Sequence, residues 1–305
     1  MALNADTLID RSYLKGQIAK WRLIAILVVV LSAILLLEGL SPITPRGNYI
    51  ARVTIEGIIT DDLKRDELFG DLIEDDSVKA VILRVDSPGG TVVGGEQLYL
   101  NVKKLASKKP VVVTMRSMAT SAAYMASLGA DQIFAQRGTL TGSVGVLMQT
   151  AEITDMAEKL GIEPIVIKSG EHKAAPNPLE KLTVDQREVI KLVTNDFFRV
   201  FVGMVAENRD ISQENIALLS DGRVFTGPQA KEIGLVDAIG GEEEAIQWLE
   251  ENKGIESDIN VEDRKPHYKK QGGFGSLFDQ MAKIFTIFPQ IQLDGLVSIW
   301  QPKPM

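Results

Sequence analysis

The chain has 305 residues, 45% of them hydrophobic, which allows one large domain or two small ones around a substantial core. Acidic residues number 41 and basic ones 33, and the net charge of −8 argues against general nucleic-acid binding, which needs a basic face. With no cysteine and only two histidines, His172 and His267, the chain has no disulfide, no thiol chemistry and no His-rich metal site.

The first feature in chain order is apolar. Leu23 to Leu37 reads LIAILVVVLSAILLL, with Ser32 its only polar residue. Counted from Trp21 to Leu40 the segment has 20 residues. A helix of that length rises about 30 Å, roughly the hydrocarbon thickness of a bilayer. Arg11, Lys15, Lys20 and Arg22 precede it, and only Arg46 and Arg52 follow closely. The positive-inside rule then makes residues 1–20 cytoplasmic, residues 21–40 a single transmembrane anchor and the rest extracytoplasmic, as in a bacterial inner membrane. A cleaved signal peptide is the rival reading, but no small-x-small cleavage site follows.

Pro42, Pro45 and Gly47 mark a linker over 41–48. From Tyr49 the pattern predicts a strand to Ile59, an acidic helix over Leu63–Ile73 and a buried parallel strand over Val78–Val85. The turn Asp86-Ser87-Pro88-Gly89-Gly90 comes next, then a helix from Gly95 to Ser107 and a strand over Pro110–Met115. A helix over Ser121–Leu128 and strands over Gln132–Ala135 and Ile162–Ile167 follow. Thr183 to Asn208 is a long amphipathic helix, with Thr183 and Gln186 as a capping box. Strands alternating with helices predict an α/β fold built from βαβ units. There is no internal repeat and no Walker phosphate loop, and no cofactor is expected.

Three places can carry chemistry. Ser121 follows a buried strand and opens a helix, among the small residues Ala119, Thr120, Ala122 and Ala123. That placement exposes a hydroxyl at the positive end of the helix, the logic of a nucleophile elbow without its Gly-x-Ser-x-Gly sequence. An N-cap serine is the competing reading. Gly89 and Gly90, just past a buried strand, can turn backbone N–H groups toward a ligand and, with the Ala122 amide, form an oxyanion hole. An ordinary Pro-Gly-Gly turn is the alternative. Lys173, in the loop KSGEHKAAPNP, can act as a general base if burial lowers its pKa by about 3 units. Lys168 competes with it, and so does His172, which permits a Ser-His-Asp triad. Ser143, in TLTGSVGV, is a minor nucleophile candidate or a hydroxyl that orients the lysine amine.

Five segments in order resemble the signal peptide peptidase A family of serine proteases, in its short, single-catalytic-domain form. They are VILRVDSPGG at 81–90, SMATSAAYMAS at 117–127, GTLTGSVGV at 138–146, IKSGEHK at 167–173 and DGRVFTGPQAKEIGLVDAIGG at 221–241. The resemblance implies a crotonase- and ClpP-like fold of repeated β-β-α units over residues 49–253. It makes Ser121 the nucleophile, Lys173 the general base, and Gly89 or Gly90 with Ala122 the oxyanion donors. It implies a ring- or dome-like homo-oligomer whose Ser and Lys can come from adjacent subunits, no metal, and apolar peptides such as remnant signal peptides as substrates. Cleavage of the hydrophobic tails of stomatin-like proteins, a non-catalytic membrane scaffold and acyl-CoA chemistry are the alternatives; the outward orientation argues against the last. The glycine pair of the family pattern is Ala122-Ala123 here, and the two methyls are expected to narrow the space beside the scissile bond.

Residues 254–305 read as a linker and an amphipathic segment. Phe274, Leu277, Phe278, Met281, Ile284, Phe285 and Phe288 recur at spacings of three and four. This face is expected to pack on the enzyme or a neighbouring subunit, to lie on a membrane surface, or to carry a tail into a neighbouring active site.

Overall fold

The computed structural model describes residues 20–30, 47–219, 221–268 and 297–299. The chain divides between Gly47 and Asn48 into two units. In the first, residues 20–30 are helical (α1) and all exposed. The rest of the expected anchor lies outside the described residues, and among those described no helix is long and apolar enough to cross a membrane. The aromatic face over 274–288 also lies outside them.

The second unit is a mixed α/β sheet. β1 (Tyr49–Ile59), β2 (Val78–Thr91) and β3 (Val111–Thr120) are parallel neighbours, joined by α2 (Leu63–Glu74) and α3 (Val92–Ala106). The short helix α4 (Ala122–Ser127) follows β3 directly. β3 then serves two partners: β4 (Gln132–Ala135) along Val112–Met115 and β5 (Leu140–Gly142) along Met118–Thr120. The remaining elements are α5 (Thr154–Lys159), α6 (Val184–Asn208), α7 (Gln213–Leu219), β6 (Val224–Thr226), α8 (Gly227–Glu232), β7 (Ala238–Ile239), α9 (Glu242–Lys253), β8 (Asn260–Arg264) and β9 (Val297–Ile299). The main path of the sheet runs β6-β5-β3-β2-β1-β8.

The run VKAVILRV is apolar except at Lys79 and Arg84 because helices cover both faces of the sheet. Ile50, Ala80, Ile82 and Val112 pack with Ala245 and Leu249 of α9. Ala51, Val53, Val81, Leu83 and Val113 point the other way, into a larger core with Leu68, Leu72, Leu98, Leu105 and Tyr124. Three of the longer helices start on a matched cap. Asp62 accepts from Lys64 and Arg65 N–H, and Thr91 accepts from Gly94 N–H. The Thr183/Gln186 capping box forms as expected.

Two expectations are corrected. Residues 86–90 are not a closing turn: β2 continues through them to Thr91, with register slips where Ser87 pairs with Ala119 and Gly89 with Ile58. A Pro-Gly-Gly stretch can stay in the ladder because Gly89 takes a φ of 108°, which only glycine adopts freely. Ile162–Ile167 forms no strand. Its β-branched pattern meets no partner in the chain's own sheet, and Ile165 and Ile167 are 82% and 94% exposed.

Candidate active site

The site lies where β2, β3 and β5 end together. Ser121 sits between β3 and α4 with φ 57° and ψ −120°, a conformation that a non-glycine residue holds at a cost of about 1–3 kcal/mol. The surroundings fix it. Its N–H donates to Gly142 carbonyl at 2.8 Å, and its carbonyl accepts from Met125 N–H at 2.8 Å. It is 1% exposed and makes no side-chain cap bond to the helix it precedes. The N-cap reading therefore fails: the strained turn aims the side chain elsewhere.

The neighbouring strands are pinned to this turn by side-chain hydroxyls. Thr120 Oγ1 donates to Pro88 carbonyl at 3.0 Å, and Thr141 Oγ1 donates to Ala119 carbonyl at 2.7 Å. Ser87 Oγ donates to Gly57 carbonyl at 2.6 Å and accepts from Gly89 N–H at 3.1 Å. The two candidate oxyanion glycines thus differ: the Gly89 N–H already has a partner. Gly90 must be glycine for a different reason: a Cβ there would lie 1.7 Å from Ile59 carbonyl oxygen. Ser143, the minor candidate, follows Gly142 with φ 51°, and its N–H donates to Arg223 carbonyl at 2.8 Å. It stands next to the residue that holds Ser121, as a supporting hydroxyl would.

Ala122 and Ala123 are fully buried. A Cβ at Gly95 of α3 would lie 2.8 Å from Ala122 Cβ, so the Ala122 methyl fills the space that Gly95 leaves. The expected narrowing beside the scissile bond is thereby corrected: the methyls point into the helix packing. Tyr124 anchors the same helix. Its hydroxyl donates to Leu235 carbonyl at 2.9 Å, and complete burial pushes its pKa well above the ordinary phenol value.

The candidate bases part company. Lys168 Nζ is 2.7 Å from Glu180, in an ion pair whose hydrogen bond holds the Glu180 carboxyl below the usual range. That ion pair commits Lys168 Nζ to Glu180. Lys173 and His172 are both exposed, on a turn in which Lys173 N–H donates to Gly170 carbonyl. Gln186 of α6 clamps this turn through Glu171 carbonyl at 2.7 Å. The burial that would neutralise Lys173 is not supplied by the described residues of one chain. Among the described residues no group of three or more His, Asp or Glu is placed to hold a metal.

One further feature bears on a peptide ligand. β9 lies antiparallel on β2, with Ile299 opposite Gly89 and Val297 opposite Thr91. The β2 edge beside the glycines therefore accepts an extended chain. The pattern of the sequence did not reveal Gly142 as the acceptor that holds Ser121; its signal was the glycine directly after Thr141 in TLTGS.

Comparison with known proteins agrees with this geometry. The model of peptidase family S49 matches residues 103–256. A Methanocaldococcus jannaschii protein named as a protease is 40% identical over 195 residues, 64% of this chain and 63% of that protein. A Synechocystis protein named as a protease is 34% identical over 238 residues, 76% of this chain and 86% of that protein. An Enterococcus faecium protein named as a signal peptide peptidase is 34% identical over 190 residues, 62% of this chain and 55% of that protein. The chain thus spans less than two thirds of the first and third of these relatives.

Proposed function

The chain belongs to peptidase family S49, and from that premise we propose that it is a membrane-anchored serine endopeptidase of apolar peptides such as remnant signal peptides. The strained, buried turn at Ser121, set beside the glycine-bearing end of β2, is the observation that carries this reading. Ser121 Oγ attacks a peptide carbonyl while neutral Lys173 Nζ takes its proton. The amides of Ala122 and Gly90, with Gly89 once its bond to Ser87 exchanges, receive the oxyanion. The lysine ammonium then protonates the leaving amine, and water hydrolyses the acyl-enzyme.

The fold is read as crotonase- and ClpP-like, and the assembly as a ring- or dome-like homo-oligomer in which a neighbour completes the setting of Lys173. Exposed apolar side chains support the assembly: Leu160, Ile162, Ile165 and Ile167 beside the lysine loop, and Leu192 and Val193 on α6. The membrane anchor rests on the apolar sequence from Trp21 to Leu40. The Ala122 methyl, packed against Gly95 of α3, supports the catalytic reading over the non-catalytic scaffold.

The test is hydrolysis of an apolar fluorogenic peptide by the detergent-solubilised full chain. Ser121→Ala and Lys173→Ala should each lower kcat by about 10³-fold or more with oligomer size unchanged. Activity that survives Ser121→Ala would end the proposal.

A further inference from the structure

A second site lies on the far side of β1. β8 pairs with β1 only from Tyr49 to Val53, so Thr54–Ile59 keep an edge that no strand among the described residues covers. A cavity of about 470 Å³ opens along that edge, closed by Thr60, Arg65 and residues 265–268. Ile58 and Ile59 pair with Gly89 and Gly90 on their other side, so the cavity sits one strand beyond the candidate oxyanion glycines.

Arg65 gives the cavity its chemistry. It is 8% exposed, donates from Nη2 to Thr60 carbonyl at 2.6 Å, and has no ion pair among the described residues. Its Nε is buried with no hydrogen-bond partner there. Three carboxylates line the cavity, Asp62, Asp263 and Glu56, and Glu56 Oε1 lies 4.0 Å from Arg84 Nη2. Asp62 accepts from Lys64 and Arg65 N–H and from the Tyr268 hydroxyl, and Asp263 is held by Arg52 at 2.6 Å. Asp62 is the nearest described carboxylate to this charge, but it leaves the Arg65 Nε–H unpartnered, and an anion entering the cavity can use that remaining donor capacity. The planar guanidinium edge matches a carboxylate. The adjoining strand edge matches an extended peptide backbone, and Ile55, Ile58 and Pro266 line it with apolar surface.

We propose that this cavity binds the free α-carboxylate end of an extended apolar peptide, with the carboxylate on Arg65 and the backbone along Thr54–Ile59. The ligand class rests on the peptidase reading. A peptide bearing a new α-carboxylate is what an earlier hydrolysis of a larger chain releases. The site then takes the C-terminal end of such fragments and holds it one strand away from Ser121.

The experiment uses the full chain in detergent with Ser121→Ala, so that peptide persists. An apolar decapeptide, fluorescently labelled at its N-terminus, is titrated as the free acid and as the C-terminal amide. The acid should bind about tenfold more tightly. Arg65→Gln should erase that preference while leaving the affinity for the amide unchanged. Lys265→Glu, on the exposed mouth and outside the core, should weaken acid binding selectively by about threefold. Equal binding of acid and amide, or a preference that survives both substitutions, would overturn the proposal. Loss of oligomer mass in Arg65→Gln without any acid preference would assign the anion to a neighbouring copy, and would also overturn it. Hydrolysis without selective binding sinks the carboxylate site alone; selective binding without hydrolysis by the unsubstituted chain sinks the peptidase reading alone.

Discussion

The serine side and the lysine side of the candidate site are built in opposite ways. Ser121 is buried, strained, and held through its own backbone by Gly142 and Met125, with hydroxyl bonds pinning the strands around it. Lys173 is exposed on a turn tied down by Gln186, beside an apolar stretch that forms no strand and pairs with no strand among the described residues. A nucleophile needs a fixed direction, which a sheet end provides. A neutral lysine needs an apolar enclosure, and the described residues of one chain leave Lys173 exposed. In the proposed oligomer a neighbouring copy supplies that enclosure.

The largest test of the serine side is Gly90→Ala. The new methyl would overlap the Ile59 carbonyl oxygen, 1.7 Å from the Cβ position. The β1–β2 pairing must open to admit it, so we expect a loss of about 3 kcal/mol or more, read by denaturant unfolding, with activity abolished. Native stability in that variant would show that the close strand approach is not needed.

The lysine side should respond differently. Ile165→Asp with Ile167→Asp replaces two side chains that are 82% and 94% exposed. The single chain should keep its stability within about 0.5 kcal/mol. Oligomer mass by light scattering should fall, and activity should drop about 100-fold as the surface that encloses Lys173 is lost. Full activity in a smaller species would mean that one chain suffices.

The same contrast marks what could be read in the sequence. Strands buried on both faces, such as VILRV and PVVVTM, announce themselves because all their residues but Arg84 and Thr114 are apolar. The capping box at Thr183 and the serine after β3 were equally plain, since each is a local device. What stayed hidden depends on distant partners. The extension of β2 through Gly90 needs β1 beside it, the acceptor at Gly142 needs β5, and the failure of Ile162–Ile167 to pair follows from the lack of a neighbour. Lys168 and Lys173 were inseparable by pattern, and the Glu180 ion pair separates them.

The smallest effect sharpens the serine side. Ala122→Gly removes a methyl packed against Gly95 and should cost about 1 kcal/mol of stability. Because that methyl faces α3 and not the substrate, the ranking of apolar peptides by kcat/KM should not change. A changed ranking would return the methyl to the substrate's side.

The most direct measurement mixes two inactive variants. Purified Ser121→Ala and Lys173→Ala chains are dissociated, combined in equal amounts, reassembled and assayed on the apolar fluorogenic peptide. With the dyad shared between neighbours, random assembly gives about one intact site in four, and about a quarter of the original activity should return. No recovery in mixed oligomers of normal mass would contradict a dyad shared between neighbours.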